Sequence, residues 1–338
     1  MTPRTVPPIT GLLPDPTVDD VSLMTMTMNA VSLTGVTKKF GAITAVNDIS
    51  LTIEQGEMFA LVGPDGSGKT TVIRMLCGIT VPTAGDLSVL GCDVRTKITE
   101  VRRQIGYLSQ KFSLYGDLTI DENIEFFAEI HGIRNYEARR TELLDFMRLT
   151  KFRDRLADKL SGGMKQKLAL ACTLIHAPQV IFLDEPTTGV DPVSRRDFWK
   201  ILASLLKSGI TIVMTTPYLD EAERCTRVAL MNEGRIMLCD TPANIKLVMK
   251  GNVVEIVCSD IRRSFSLLKS DPRVREVQAF GDRLNILLAD AAEDMPHVEA
   301  VLGAAGVVID GWRIVTPSLE NVFISLMSDH SSHPEVGL

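Results

Sequence analysis

Features that would point to a nucleic-acid partner or a cross-linked scaffold are missing from the sequence. Its 36 Lys and Arg residues are outnumbered by 42 Asp and Glu, for a net charge of −6, so it lacks the basic excess of a dedicated nucleic-acid binder. Its six cysteines include no Cys-x-x-Cys and no paired histidine spacing, which argues against a zinc site or a disulfide framework. We therefore expect no nucleic-acid partner and cysteines that serve as small core residues.

Long apolar segments are missing as well. The longest apolar stretch, residues 168–183, is interrupted by His176, Pro178 and Gln179, and it is shorter than the roughly 18 uninterrupted apolar residues of a membrane-spanning helix. No apolar segment led by Lys or Arg opens the chain, so a secretory signal is not expected either. These absences favour the reducing cytosol as the compartment.

The 338 residues, 45% of them hydrophobic, are enough for about two domains. Five prolines among the first sixteen residues predict a flexible leader over residues 1–28. An α/β domain with a parallel sheet is predicted over residues 29–249, because apolar strand patterns alternate with helical ones. The strand patterns lie at residues 59–62, 180–183 and 210–214, and the helical ones at residues 119–131 and 194–206.

The pattern changes after residue 250 to that of a small α+β domain. Its expected strands are residues 253–257, 274–280, 284–288 and 307–315, and its expected helices are residues 261–268 and 296–302. This is a ferredoxin-like order, and the shortage of aromatic residues on its strands favours an accessory or regulatory role over RNA binding. We predict this domain over residues 250–328 and a loose tail over residues 329–338.

A phosphate-binding loop is predicted directly after the first apolar strand. The octet Gly63-Pro64-Asp65-Gly66-Ser67-Gly68-Lys69-Thr70 fits G-x-x-x-x-G-K-[ST] and leads into a helical pattern at Thr71. In such a loop the backbone N–H groups and the helix N-terminus, through Thr71, bind phosphates, Lys69 reaches the outer phosphates and Thr70 ligates Mg²⁺. The alternative, a chance glycine-rich turn, leaves the strand and helix on either side unexplained.

Two adjacent carboxylates end the apolar strand at residues 180–183. We expect Asp184 to hold Mg²⁺ through water, as the carboxylate at the end of a neighbouring strand does in phosphate-loop enzymes. Glu185 is expected to polarise an attacking water, which indicates a hydrolase rather than a kinase. Either carboxylate alone could equally be a solvated strand end.

The segment Leu160-Ser161-Gly162-Gly163-Met164-Lys165-Gln166 resembles the signature of the nucleotide-binding subunits of ABC transporters. Its Ser161, Gly162 and Gly163 open a helix whose outward N–H groups form an anion site that the chain's own phosphate loop does not need. An isolated Ser-Gly-Gly would be read as a plain helix N-cap. The resemblance covers roughly residues 31–240 and implies an ABC-type P-loop NTPase fold with an antiparallel β subdomain, a helical subdomain, and ATP and Mg²⁺ as ligands.

The resemblance also implies roles for residues that would otherwise look ordinary. Phe40 matches the aromatic residue that stacks on adenine, with Val46 beside it, and would otherwise be read as a core residue. Gln110 matches the glutamine that senses Mg²⁺ and the attacking water and that leads into the segment contacting the membrane subunit. Asp191 matches a dimer-interface aspartate, with a helix N-cap before Pro192 as the alternative.

The implied mechanism needs two subunits. Each ATP would be held by Lys69 and Thr70 of one subunit and by Ser161 to Gly163 of the other, and the partner is either a second copy or a paralogue. The segment Pro317-Ser318-Leu319-Glu320-Asn321-Val322-Phe323 resembles the tail of drug-exporter-like subunits, which implies export through a separate ABC-2-type membrane permease and a peripheral position on the inner face of the cell membrane.

One residue departs from the family pattern. Where the family usually has a histidine that bonds the γ-phosphate, this chain has Pro217, which offers neither a side-chain donor nor a backbone N–H. Two interpretations stay open: a chain that hydrolyses ATP through Glu185 at a reduced rate, and a silent regulatory cassette that acts by ATP-dependent dimerisation. A GTPase is disfavoured because no Asn-Lys-x-Asp element is present.

Overall fold

The structure is a computed structural model that describes residues 29–111 and 114–332. The chain divides into two compact units, Met1–Cys239 and Asp240–Leu338, so the division falls earlier than the predicted boundary at residue 249. The reason is a short helix, Pro242–Lys246, that packs on the last helix of the second unit. The predicted leader lies outside the described residues.

The elements of the first unit alternate between strands and helices, as the sequence predicts. Its strands are β1 (Asn29–Phe40), β2 (Ile43–Glu54), β3 (Met58–Val62), β4 (Ala84–Val89), β5 (Cys92–Asp93), β6 (Ile105–Leu108), β7 (Val180–Asp184), β8 (Thr211–Thr216), β9 (Arg227–Asn232) and β10 (Arg235–Asp240). Its helices are α1 (Lys69–Leu76), α2 (Ile98–Gln104), α3 (Ile120–Ile130), α4 (Glu137–Met147), α5 (Gly162–Leu174), α6 (Pro192–Lys207) and α7 (Leu219–Ala222), with 3₁₀ turns at Thr150–Phe152 and Ala157–Lys159.

Two sheets organise this unit. A six-stranded sheet has the order β10-β9-β3-β8-β7-β6, and β3, β8 and β7 pair in parallel. Every residue of these three strands is buried, as expected for parallel strands covered on both faces. This confirms the predicted parallel sheet. A four-stranded antiparallel sheet, β2-β1-β4-β5, contacts α1 and α2, and helices α3 and α4 separately pack against α5.

The second unit is a four-stranded antiparallel sheet with helices. Its strands are β11 (Asn252–Cys258), β12 (Val274–Phe280), β13 (Arg283–Leu288) and β14 (Ile309–Val315), in the sheet order β12-β13-β11-β14. Its helices are α8 (Pro242–Lys246), α9 (Ile261–Lys269), α10 (Ala291–Ala304) and α11 (Leu319–Ser332). A core made from α9, α10 and one face of the sheet includes Val254, Ile286 and Val298.

Two boundaries in this unit differ from those predicted by more than two residues. Helix α10 begins at Ala291 rather than at Pro296, because Asp290 caps it by accepting hydrogen bonds from the next backbone N–H groups, and the proline lies inside the helix. Helix α11 continues to Ser332, into the segment predicted as a loose tail. The rest of that segment lies outside the described residues.

The motif at residues 317–323 caps and anchors helix α11. Ser318 and Asn321 exchange backbone-to-side-chain hydrogen bonds at 3.2 and 2.9 Å. The buried Asn321 amide donates to Gln278 Oε1 at 2.7 Å, and Gln278 Nε2 donates back to the Asn321 carbonyl at 2.9 Å. This reciprocal pair holds the helix against β12. None of the helices that the structure describes is both long and apolar enough to cross a bilayer.

Candidate functional site: a nucleotide cleft

The loop between β3 and α1 has the backbone that its glycines permit. Gly66 and Gly68 have φ values of 81° and 100°, in a region that glycine occupies without strain. A Cβ on Gly63 would lie 2.1 Å from the Met231 carbonyl oxygen, and one on Gly68 would lie 2.4 Å from the Ala45 carbonyl oxygen. Local packing therefore requires glycine at positions 63 and 68, and the backbone of the turn favours it at positions 66 and 68.

Lys69 folds back over this loop. Its Nζ donates to the carbonyl oxygens of Gly63 at 2.8 Å and of Pro64 at 2.9 Å, and the residue is only 4% exposed. Burial lowers the pKa of Lys69, and the nearby carboxylates of Glu185, Asp65 and Asp184 oppose that shift. The loop thus carries a fixed cation where an anionic ligand would enter.

The Asp184 carboxylate at the end of β7 is buried and only half satisfied. Its Oδ1 accepts from Thr70 Oγ1 at 2.9 Å and from Thr215 Oγ1 at 2.7 Å. Its Oδ2 is buried with no hydrogen-bond partner among the residues that the structure describes. An unpaired buried carboxylate oxygen is costly, and a hydrated Mg²⁺ beside Thr70 would satisfy it. The residues present therefore fit the metal that the sequence predicts.

Glu185 has a left-handed backbone, with φ at 49°, which costs about 1–3 kcal/mol for a residue other than glycine. Its N–H donates to Thr215 Oγ1 at 2.9 Å. Its Oε2 accepts from Gln110 Nε2 at 2.8 Å and from Thr188 Oγ1 at 3.3 Å. The structure thus brings Gln110 and Glu185 together, and it adds Thr188 and Thr215, to which the sequence analysis assigned no role.

Lys69, Thr70, Gln110 and Glu185 face one cleft of about 470 Å³, whose lining does not include Asp184. Of the predicted site residues, those that line it are Phe40, Asp65, Gly66, Gly68, Lys69, Thr70, Thr71, Gln110 and Glu185. Gly63, Pro64 and Ser67 form the turn of the loop and are absent from that lining. Phe40 is 51% exposed, which leaves part of its flat apolar ring open for a stacked base. Lys38 Nζ lies 4.7 Å from the ring centroid.

Val46 is placed differently from the prediction. Its side chain is fully buried in the core of the first unit, so it cannot contact a ligand in the cleft. Its Cγ2 lies 3.5 Å from the Cβ position of Gly68, which shows that Val46 supports the loop from below. The neighbouring Ala45 lines the cleft in its place.

The signature segment does not belong to this cleft. Ser161 is exposed and caps α5, accepting from the Met164 N–H at 3.4 Å. Gly162 is exposed with open space at its Cβ position, whereas a Cβ on Gly163 would lie 2.3 Å from Ser194 Oγ. The residues that line the cleft include none of the three signature residues. An open helix N-terminus, able to accept an anion, is therefore presented to the outside.

The two remaining predicted residues lie at the ends of elements. Asp191 caps α6 and accepts from the N–H groups of Val193 at 3.1 Å and Ser194 at 2.9 Å. Hydrogen bonds from Ser194 hold the pKa of Asp191 below its usual value. Pro217 directly follows β8, is half-buried, and is outside the lining of the cleft.

Comparison with known proteins identifies a family. Residues 46–188 match the family model described as "ABC transporter". The Nod factor export ATP-binding protein I of Rhizobium sp. (strain N33) is 38% identical over 307 residues, 89% of this chain and 98% of that protein. The daunorubicin resistance ATP-binding protein DrrA2 of Streptomyces coeruleorubidus is 34% identical over 90% of this chain and 97% of its own length. A probable multidrug ABC transporter ATP-binding protein of Escherichia coli is 42% identical over 212 residues, but the match spans only 37% of that protein.

Solved structures give the same result for the fold. A structure described as an ATP-binding subunit of an ABC transporter aligns with a TM-score of 0.60 and 28% identity over 65% of this chain and 92% of its own. A dimeric ATP-binding cassette in a post-hydrolysis state, bound to ADP and phosphate, aligns with a TM-score of 0.58 and 29% identity over 62% of this chain and 98% of its own. The chain belongs to the family of ABC transporter ATP-binding proteins.

Proposed function

We propose that this chain hydrolyses ATP and that the hydrolysis powers export through a separate membrane permease. The proposal that the chain hydrolyses ATP rests on two carboxylates that meet at the phosphate loop. Asp184 bonds Thr70 of the loop and has one oxygen without a hydrogen bond among the described residues, and Glu185 accepts from Gln110 at 2.8 Å. A pure binding site for nucleotide would need the loop and the base-stacking surface but not this second carboxylate.

The loop residues bind and orient the substrate. Phe40 stacks on the adenine, and the N–H groups of residues 63–70 together with the N-terminus of α1 bind the phosphates. Lys69 neutralises the outer phosphates. Thr70, Gln110 and, through water, Asp184 would hold Mg²⁺, which would offset the charge on the transferred phosphoryl group.

Glu185 acts on the attacking water. Its Oε2, held by Gln110 and Thr188, accepts a hydrogen bond from the water and takes up its proton as the oxygen attacks phosphorus. Gln110 fixes the direction from which the water approaches, and it would pass changes at the site to the chain segment that follows it. The products are ADP and phosphate.

The exposed signature of a second subunit completes each site. Ser161 and the N–H groups that follow it would bind the triphosphate lodged in the partner, which is either a second copy or a paralogue. Only the triphosphate contacts both the phosphate loop of one subunit and the signature of the other. Its hydrolysis therefore removes the preference of the nucleotide for the closed pair of subunits. The dimeric state of a similar solved cassette supports this arrangement.

Export is supported by what the relatives' names describe, since two that align over most of their length are named for Nod factor export and daunorubicin resistance. We place this chain at the inner face of the cell membrane, on an ABC-2-type permease. The affinity-tagged full chain, purified in mild detergent from its native host, is expected to retain one multi-span membrane protein. Recovery without any membrane protein, from cells that express its neighbouring genes, would contradict the export proposal.

Pro217 is expected to slow hydrolysis without abolishing it. The variant Pro217→His restores a donor for the γ-phosphate, and one charged hydrogen bond gained in the transition state is worth about tenfold or more in rate. We expect turnover of Pro217→His to exceed that of the wild type by that factor in a phosphate-release assay. Pro217→Ala is the control, since it restores the backbone N–H alone and should stay near the wild-type rate.

Equal turnover in the wild type, Pro217→His and Glu185→Gln would refute both the slowing by Pro217 and the role of Glu185. Binding of ATP with dimerisation, but with no phosphate release in the wild type, would support the silent regulatory cassette instead.

A further inference from the structure

A buried carboxylate joins several segments behind the nucleotide cleft. Glu221, in the short helix α7, is 1% exposed. Both of its oxygens lie within hydrogen-bond distance of Thr187 Oγ1, at 2.6 and 2.8 Å, and Oε2 also accepts from Thr216 Oγ1 at 3.0 Å. Arg195 Nε of α6 lies 3.4 Å from Oε1, as an ion pair without a hydrogen bond between them. A carboxylate buried this deeply persists only with hydrogen-bond donors and a cation around it.

The two threonine partners of Glu221 lie in segments that adjoin Glu185 and Pro217. Thr187 lies two residues after Glu185, next to Thr188, which donates to the Glu185 carboxylate. Thr216 ends β8, and its Oγ1 accepts from the Tyr218 N–H at 3.0 Å. The Thr216 hydroxyl therefore bonds to Tyr218, across Pro217, and to Glu221, and these two bonds stabilise the turn that contains Pro217.

The third partner comes from α6. The Arg195 guanidinium lies 4.8 Å from the ring centroid of Tyr218, and α6 is the helix that Asp191 caps. One side of Arg195 thus contacts the turn after β8, and its Nε pairs with Glu221. The carboxylate and the guanidinium together connect α6, α7 and the turn.

We propose that Glu221 is a positioning residue for Glu185, acting through Thr187. The Glu185 backbone is held in a strained left-handed conformation, and such a conformation persists only where its surroundings over-determine it. Thr215 holds the residue from the side of β8, and the bond from Thr187 to Glu221 holds the chain just after it. Glu221 is outside the lining of the cleft, so its effect on the reaction is indirect.

The same network gives this chain a rigid turn at Pro217. The turn has no side chain to bond the γ-phosphate, so catalysis depends more strongly on the placement of Glu185. Displacing a catalytic group by about 1 Å can cost on the order of hundredfold in rate. Loss of the contacts of Glu221 with Thr187, Thr216 and Arg195, which we call the Glu221 clamp, should therefore lower turnover while the contacts that bind ATP stay intact.

The test compares Glu221→Gln with Asp220→Asn, which removes a negative charge from an exposed neighbour on the same helix. Hydrogen exchange measured by mass spectrometry on the full chain is expected to quicken in residues 185–191 of Glu221→Gln, and not in Asp220→Asn. Unchanged exchange in residues 185–191 of Glu221→Gln would overturn the proposal. This arm needs no turnover and is independent of the proposed function.

The kinetic arm rests on the proposed ATP hydrolysis. Glu221→Gln, which removes the charge and one of the two acceptor oxygens, is expected to lower kcat about tenfold or more with KM for ATP unchanged, and Thr187→Val should also lower kcat. The double variant should lose no more than Glu221→Gln alone, since Thr187 acts on Glu185 through the Glu221 carboxylate. A loss confined to KM, or additive losses, would overturn the positioning role. Faster exchange in a chain whose wild type releases no phosphate would support the clamp while refuting the proposed hydrolysis.

Discussion

The variant Glu185→Gln should turn over ATP at least about a hundredfold more slowly than the wild type, because a positioned general base contributes roughly 10²–10⁴ in rate. The glutamine amide keeps the size of the side chain and the oxygen that accepts from Gln110, but it cannot take a proton from water. ATP binding should be unchanged, because Lys69, Thr70 and the loop N–H groups remain. The measurement is phosphate release under saturating ATP, together with the Kd of a fluorescent ATP analogue.

The matched control for this substitution is Glu293→Gln at an exposed position of the second unit, which should keep the wild-type rate. Turnover by Glu185→Gln within a few-fold of the wild type would remove Glu185 from the mechanism. A parallel loss of ATP binding would instead assign the carboxylate to the binding of nucleotide.

The variant Ser161→Arg should abolish turnover that requires a closed pair of subunits. The substitution removes the cap of α5, worth about 1 kcal/mol, and places a long side chain over the exposed N-terminus that is proposed to bind the partner's triphosphate. ATP binding to the open subunit should persist, because Ser161 is outside the lining of the cleft. Phosphate release and Kd for ATP, measured side by side, separate these two effects.

Two controls show whether an effect of Ser161→Arg is local. Ser161→Ala removes the cap without adding bulk and should lower the Tm slightly. Ser266→Arg places the same side chain on an exposed position of α9 and should leave turnover unchanged. Loss of ATP binding in Ser161→Arg would mean that the signature acts within its own subunit.

The phosphate loop and the two carboxylates could be predicted because their chemistry is local. The octet at residues 63–70 carries its own turn, and Asp184 and Glu185 sit where an apolar strand ends, so no long-range contact is needed to place them. The family resemblance added Gln110, whose contact with Glu185 joins residues far apart in the chain.

Other parts of the site depend on contacts that no sequence pattern reveals. Whether Ala45 or Val46 faces the cleft is set by the pairing of β1 with β2, which contains register shifts around Lys38, and each shift exchanges the faces of the strand. The Glu221 clamp joins residues about thirty positions apart, and its two threonines look like ordinary strand and loop residues. The start of α10 was misplaced because a proline inside a helix resembles a proline at its first position.

The central claim, that each nucleotide is bound between two subunits, is tested most directly by sizing the full chain with light scattering, with and without ATP. In Glu185→Gln, where ATP persists, we expect ATP to convert monomers into dimers that retain the nucleotide. In the double variant Glu185→Gln/Ser161→Arg we expect monomers that still bind ATP. A double variant that forms nucleotide-trapped dimers as readily as Glu185→Gln would contradict the shared site.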